Sequence, residues 1–258
     1  MDRLDDALLA DPVGPAKRRL TVGLARNEAE RRAAQKLRWR VFAEELGARL
    51  ATPEPGVDRD EFDAHCEHLL VRDGDEVVGT YRILSPKGAR EVGAWYSEGE
   101  FDLRRLEAIR GRMAELGRSC IDARYRTGGV IALLWAAIAR HVIARGYEYL
   151  CGCASMSALD GGAGAAEFFL GTSTAENMAP EQYRVHPLRP LPAALDADGG
   201  VEKTRVPPLL RGYLRCGAYV CGEPAWDPEF NTADFFMLLP VARLHERYAR
   251  HFFGKAAA

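Results

Sequence analysis

A chain of 258 residues with 47% hydrophobic and 28% charged content can bury a sizeable core, and one domain is the expected arrangement. A formal net charge of -2 excludes a general nucleic-acid binder, which needs a basic excess to neutralise phosphates. The longest apolar run, Val130 to Ala139, falls well short of the roughly 20 residues needed to span a bilayer.

The N-terminus opens on acidic residues and lacks the basic start of a signal peptide, so a cytoplasmic location is expected. Six cysteines with no CxxC pair read as reduced, mostly buried thiols. Residues 1–18, charged and broken by Pro12, Gly14 and Pro15, read as a mobile arm, and residues 19–258 as a single domain with a C-terminal extension from about residue 181.

Order is predicted to begin with a strand from Leu20 to Leu24. A helix follows, announced by the capping box Asn27-x-x-Glu30 and running to Gly47. At about 100° per residue, Ala34, Leu37, Val41 and Phe42 share one face, and Arg38 falls among them. An arginine there either faces a ligand or pairs with a carboxylate at the edge of the core. Residues 17–40 carry nine Lys or Arg against two Glu, a basic face suited to an acidic protein partner or an anionic lipid surface.

Ala51 to Phe62 reads as a loop that turns acidic and enters a strand at Cys66 to Arg72. Asp60 and Asp63 stand just before that strand, where side chains often meet a substrate; a solvated acidic loop is the alternative. His65, Cys66 and His68 alternate across the strand with no matching second ligand pair, so no metal site is expected. Asp73-Gly74-Asp75 makes a turn and Val77 to Leu84 the second strand of a hairpin. Arg82 shares a face with Val78, Thr80 and Leu84, a second arginine among apolar neighbours. An irregular stretch containing Trp95-Tyr96 follows Pro86, then a helix from Phe101 to Met113.

Glu115 to Val142 reads as a strand, a basic glycine-bearing turn and a nearly all-apolar, hence buried, helix. Gly117 suggests a bulge, which would bring Glu115 and Arg118 towards one pocket. The first turn of the helix presents unpaired N–H groups, and Arg124, Arg126, Gly128 and Gly129 sit where a phosphate would be held; a plain turn with two solvated arginines is the alternative. Further on, a strand is expected at Tyr147 to Cys153 and a helix at Ala163 to Leu170. A proline-rich connection spans Pro187 to Pro208, and Ala218 to Cys221 with Asp234 to Leu239 would form a closing strand pair. The tail, Val241 to Phe253, reads as a helix whose stripe of Leu244, Tyr248 and Phe252, flanked by Arg243, Arg247 and Arg250, suits either the core or a bilayer surface.

Taken in order, Arg38-x-x-x-Phe42, Asp60-x-x-Asp63, Arg82 and Glu115-x-x-Arg118 resemble the charged signature of the acyl-homoserine-lactone synthases. The phrases LRWRVFAEELG, FDAHCEHLLV, VVGTYRIL, ELGRSC and PPLLRGYLRCGA are more similar still to the L-ornithine N-alpha-acyltransferases of bacterial ornithine-lipid synthesis. The chain departs from the lactone synthases in having Ala48 to Leu50 where a tryptophan is expected, and in its long C-terminal third. The second resemblance implies an α+β, α/β-sandwich fold of the Gcn5-related N-acyltransferase kind, with a mixed central sheet and helices on both faces. It also implies transfer of a (3-hydroxy)fatty acyl group from acyl carrier protein to the alpha-amine of L-ornithine, with no cofactor beyond the carrier's phosphopantetheine. A lactone synthase using S-adenosylmethionine, a coenzyme A-dependent N-acyltransferase and a non-catalytic lytic protein are the competing readings.

An amine attacking a thioester must lose a proton, and the tetrahedral oxyanion needs donors where its charge develops. Glu115 is the expected base, directly or through a water, with backbone amides near Ser119 and Cys120 as oxyanion donors; a Glu115–Arg118 ion pair is the alternative. Arg82 or Arg118 fits the ornithine carboxylate and Asp60 or Asp63 its side-chain ammonium, with Arg38 and Phe42 completing the pocket. Arg124, Arg126, Gly128 and Gly129 would hold the phosphopantetheine phosphate. Cys120 is a poor nucleophile without a paired histidine.

Overall fold

The computed structural model describes residues 20–174, 176–192 and 205–244. The arm of residues 1–18 and all but the start of the tail helix lie outside them.

Period-two apolar patterning forms the strands Leu20–Leu24 (β1), Cys66–Asp73 (β2) and Glu76–Leu84 (β3), which pair antiparallel in chain order. The β2–β3 turn falls on Gly74, whose φ of 59° is the left-handed conformation that glycine adopts without penalty. Between Phe101–Asp102 (β4), which pairs in a separate two-stranded sheet with His186–Pro187 (β7), and Met113–Ile121 (β5), the chain makes a 3-10 helix at Arg104–Arg112. The α-helix expected from Phe101 to Met113 is thus a short strand and a tighter helix. The irregular stretch after Pro86 contains a helix, Pro86–Val92, which starts with proline at its first turn and is capped by Ser85.

The first long helix, α1 (Glu28–Trp39), is capped by Asn27, whose side chain accepts from the Glu30 amide at 3.0 Å. The reciprocal bond of the expected capping box is displaced by one residue: Glu30 accepts from the amide of Arg26 at 2.7 Å. Beyond Trp39 the helix continues as a π-helical segment, Arg40–Glu45. With α2 (Pro86–Val92), the remaining helices are α3 (Gly129–Arg145), α4 (Ala163–Thr172) and α5 (Pro208–Cys216). The last begins at Pro208, where the expected proline-rich connection ends.

The main sheet runs β1-β2-β3-β5-β6-β10-β8, where β6 is Tyr149–Ser157, β8 Tyr219–Val220 and β10 Thr232–Pro240, and β9 (Ala225–Asp227) also pairs with β10. The expected closing pair is present, with Met237 opposite Val220. One face packs on α1 and α2 through Leu37, Leu70, Val77, Ala89 and Leu84. The other packs on α3 through Tyr81, Ile83, Val130 and Leu134, and on α4 and α5 through Phe168, Leu210 and Phe235. A mixed sheet with helices on both faces is the architecture the sequence implied.

Two departures from regular pairing position the site. Thr80 lies opposite Cys120 but Arg82 opposite Gly117, so Arg118 and Ser119 together face Tyr81 as a bulge, with Arg118 at φ 49°. The bulge expected at Gly117 lies one residue later. β5 and β6 pair in parallel only from Met113–Tyr149 to Glu115–Cys151 and then part. At the fork Gly152 has φ 151°, and a Cβ there would lie 2.1 Å from the Leu116 carbonyl oxygen. Only glycine lets the backbones approach so closely at that point.

Candidate active site

Beyond the Glu115–Cys151 pair β5 and β6 no longer pair, and the two faces of the sheet at this fork carry different groups. Alternation along β5 sends Glu115 to the α1 and α2 side and Leu116 to the α3 side. On the α3 side a pocket is lined by Leu116, Trp135, Ile138, Val142, Met237 and Leu239, with Tyr81 and Tyr213 as its phenols. Its empty space, open mouth included, is about 830 Å³.

On the other face Glu115 is buried, and its carboxylate accepts from the amides of Tyr96 at 2.8 Å and Ser97 at 2.9 Å and from the Ser97 hydroxyl. Burial pushes its carboxyl above the ordinary value, against the pull of those three donors. Ser97 Oγ lies 3.2 Å from Cys153 Sγ. Cys153 in turn groups with Glu100 and Asp234, their ligating atoms all within 4.8 Å of one another. Burial raises the carboxyls of both Glu100 and Asp234; the charges of Asp234 and Asp227 add to this at Glu100, and that of Asp227 at Asp234. One Glu100 oxygen is buried without a hydrogen-bond partner, and among the described residues no cation pairs with either carboxylate.

The arginines and aspartates of the sequence signature come together beside this group, but largely as one another's partners. Arg38, fully buried, bonds Asp58 Oδ2 at 2.8 Å and Asp63 at 2.7 and 2.9 Å. Burial alone would lower its pKa, but Asp63 and Asp58 outweigh that and raise it. Of the two readings left open for Arg38, pairing with carboxylates is the one realised. Arg82 holds Asp60 through Nη1, at 2.6 Å to each oxygen, and lies over the Phe62 and Tyr96 rings. Asp60 caps the 3-10 helix Glu61–His65 by accepting from the amides of Phe62 and Asp63. Arg118 does not pair with Glu115. Its guanidinium donates to the Tyr96 hydroxyl at 2.8 Å, lies 3.2 Å from Asp58, and sits between the Tyr96 and Phe230 rings. Phe42 stands behind it, edge-on to Phe230 at 5.8 Å.

Ser119 points to the α3 side, where it is a hydrogen-bond neighbour of the Tyr81 hydroxyl. Cys120 is buried and its thiol is pushed up to about 12, which removes the thiolate that a nucleophile needs. His65 and His68 have separate partners, Glu91 at 3.4 Å and the Asp63 carbonyl at 2.9 Å.

The basic turn caps α3 with Gly128 at φ 99° and Gly129 as first helical residue, so the first-turn amides face outward. Arg124 is held by Asp122 and Glu76, and Arg126 by Glu45 and the Ile121 carbonyl. Both guanidiniums are drawn to neighbouring carboxylates, and Gly128 gives the helix N-terminus no side-chain cap.

Sequence reasoning missed Asp58, Ser97, Glu100, Asp234 and the two phenols. Asp234 carried a readable signal: a carboxylate at the head of the otherwise apolar strand segment Asp234 to Leu239. Ser97 and Glu100 carried none, because they lie in an irregular stretch 15 or more residues before Glu115.

A buried carboxylate and an apolar pocket on either side of a fork between parallel strands suit an N-acyltransferase, and comparison with known proteins shows that class. The model of the acetyltransferase (GNAT) domain matches residues 37–136. Curated relatives extend the match over nearly the whole chain. The L-ornithine N(alpha)-acyltransferase of Brucella abortus is 34% identical over 97% of this chain and 93% of its own, and that of Rhizobium meliloti is 36% identical over 90% and 84%. Among solved structures, TofI in ternary complex with an inhibitor and MTA aligns with a TM-score of 0.50 at 17% identity, covering 91% of this chain and 96% of that one. The chain belongs to the L-ornithine N(alpha)-acyltransferase family.

Proposed function

We propose that the protein transfers a fatty acyl group from the phosphopantetheine arm of acyl carrier protein to the alpha-amine of L-ornithine, forming lyso-ornithine lipid. The observation that carries this reading is the fork between β5 and β6, where the strand residues next to one another, Leu116 and Glu115, belong to an apolar pocket on one face and to a buried carboxylate on the other. The acyl chain lies in the pocket and the thioester carbonyl at the fork. Past the last β6 pair, the β5 amides that face the β6 edge and not β3 are open to the oxyanion, in addition to those near Ser119 and Cys120.

The amine approaches from the Glu115 side, and Ser97, bonded to Glu115, passes its proton to the carboxylate. The acid for the ornithine side-chain ammonium moves from Asp60 or Asp63 to Glu100 and Asp234. The first two are neutralised by Arg82 and Arg38, whereas an ammonium would relieve the charge that the second two share. Arg82 and Arg118 keep the carboxylate role, Arg82 using only Nη1 on Asp60. The phosphopantetheine phosphate meets the N-terminus of α3 at Gly128 and Gly129, with Arg124 and Arg126 at its edge.

Docking of the acidic carrier on the basic α1 region is narrowed by local pairing. Arg31 and Arg32 are bonded to Glu28 and Glu54, and Arg38 is inside the protein. No helix of the described residues is long and apolar enough to cross a membrane. Past Leu244 the tail, whose stripe suits an anionic lipid surface, lies outside the described residues. Mass spectrometry of products formed from acyl carrier protein thioesters with ornithine or with S-adenosylmethionine tests the reading. An acyl-ornithine supports it, and an acyl-lactone formed in its place overturns it.

A further inference from the structure

The pocket on the α3 side is apolar along its walls except at one place. Tyr81 of β3 and Tyr213 of α5 bring their hydroxyls together at 2.6 Å. Tyr81 is 1% exposed, and Ser119 and Trp135 are further hydrogen-bond neighbours of its hydroxyl.

The pair is held in position by the packing around it. Trp135 stacks on the Tyr213 ring at 5.7 Å and 16°. That stacking depends on Gly212, where an added Cβ would lie 2.6 Å from the Trp135 ring. Tyr81 is also fixed along the chain, because it faces the Arg118-Ser119 bulge next to the fork. The phenols therefore sit at the thioester end of the pocket, away from the end lined by Leu239, Val241 and Leu244.

Each phenol can donate one hydrogen bond and accept others. Tyr81 can satisfy both capacities with Ser119, Trp135 and Tyr213, whereas among the described residues the Tyr213 hydroxyl has Tyr81 as its one hydrogen-bond partner. Whichever way the shared bond runs, the Tyr213 hydroxyl keeps a donor or an acceptor for a group in the pocket. An unsubstituted alkyl chain leaves that capacity empty. A chain bearing a hydroxyl close to its carbonyl fills it.

We infer that Tyr213, positioned by Tyr81 and Trp135, reads a hydroxyl near the thioester end of the acyl chain and so sets the donor preference of the enzyme. The inference rests on the proposed acyl transfer and names the residue that selects among its donors.

The test compares 3-hydroxyhexadecanoyl and hexadecanoyl acyl carrier protein as donors to ornithine, with the wild type and Tyr213→Phe. The wild type is expected to favour the hydroxylated donor in kcat/KM by roughly tenfold, the scale of one or two neutral hydrogen bonds. Tyr213→Phe should bring the ratio to within about twofold by lowering the hydroxylated donor alone. Tyr81→Phe, which removes the positioning partner, should lower the ratio less. An unchanged ratio in Tyr213→Phe, or an equal fall with both donors, overturns the inference.

Calorimetric binding of the two corresponding pantetheine thioesters separates this inference from the reading it rests on. If ornithine is never acylated but the wild type still binds the hydroxylated thioester more tightly and Tyr213→Phe does not, the proposed function fails and the pocket assignment stands. Equal binding of both thioesters by wild type and variant overturns the pocket assignment whatever the acceptor.

Discussion

Ser97 gives both its amide, at 2.9 Å, and its hydroxyl to the same oxygen of Glu115. A residue from an irregular segment thereby fixes a buried carboxylate on β5 and supplies it with a hydroxyl able to relay a proton. The Tyr96 amide on the second oxygen completes a carboxylate with donors on both sides.

Glu115→Gln is expected to lower acyl transfer by about 10² or more, the scale of a lost general base. Because burial raises the Glu115 pKa, the wild-type rate should fall as pH drops through that raised value, and the variant should lose this acid limb. Some stability will also be lost, since a glutamine turns an N–H towards one of the three donors. The pH-rate profile separates the two roles: a variant that retains the limb rules out Glu115 as the base.

Arg38→Met should destabilise the fold by about 3 to 5 kcal/mol, because Asp58 and Asp63 would be left buried without their cation. Urea unfolding measures it, and a loss below about 1 kcal/mol would contradict the pairing. Asp63 adds a pH signature. Arg38, outweighing burial, holds its folded-state pKa well below the ordinary 3.8, so its stabilisation is present above that value and disappears as pH falls below it.

Glu100 and Asp234 carry the opposite sign. Their folded-state pKa values are raised above the ordinary 4.5 and 3.8, so their contribution to stability is full below those values and declines as pH rises. Glu100→Gln should therefore raise the melting temperature more at about pH 8 than at about pH 5. The same substitution should raise KM for ornithine roughly tenfold with a smaller change in kcat, as expected for a charged hydrogen bond to the ammonium. An unaltered KM would return the ammonium to another group.

Gly152→Ala tests the fork. The added Cβ would meet the Leu116 carbonyl at a φ of 151°, a conformation that costs alanine about 1 to 3 kcal/mol. The strands should shift apart there, and acyl transfer should fall more than tenfold with a modest loss of melting temperature. Full activity would mean that the spacing of β5 and β6 is not critical to catalysis.

The hairpin of β2 and β3, the strand–turn–helix from Glu115 to Val142 and the closing strand pair were legible because each is specified locally, by two-residue or helical periodicity and by glycines at turns. The charged positions Arg38, Asp60, Asp63, Arg82, Glu115 and Arg118 were legible as well, since a charge on an apolar face must have a partner wherever the chain folds. Their partners were not. Which carboxylate neutralises Arg38, and that Arg118 turns to Tyr96 and Asp58 while Glu115 turns to Ser97, depends on elements 18 or more residues apart or on the handedness of a single bulge. Glu100 and Asp234 lie more than 130 residues apart in the chain and meet only because β10 pairs with β6. Periodicity assigns a side chain to a face of its own element, but tertiary packing selects which faces meet. That selection turned two expected substrate aspartates into the counter-ions of arginines and placed the uncompensated acids beside the fork.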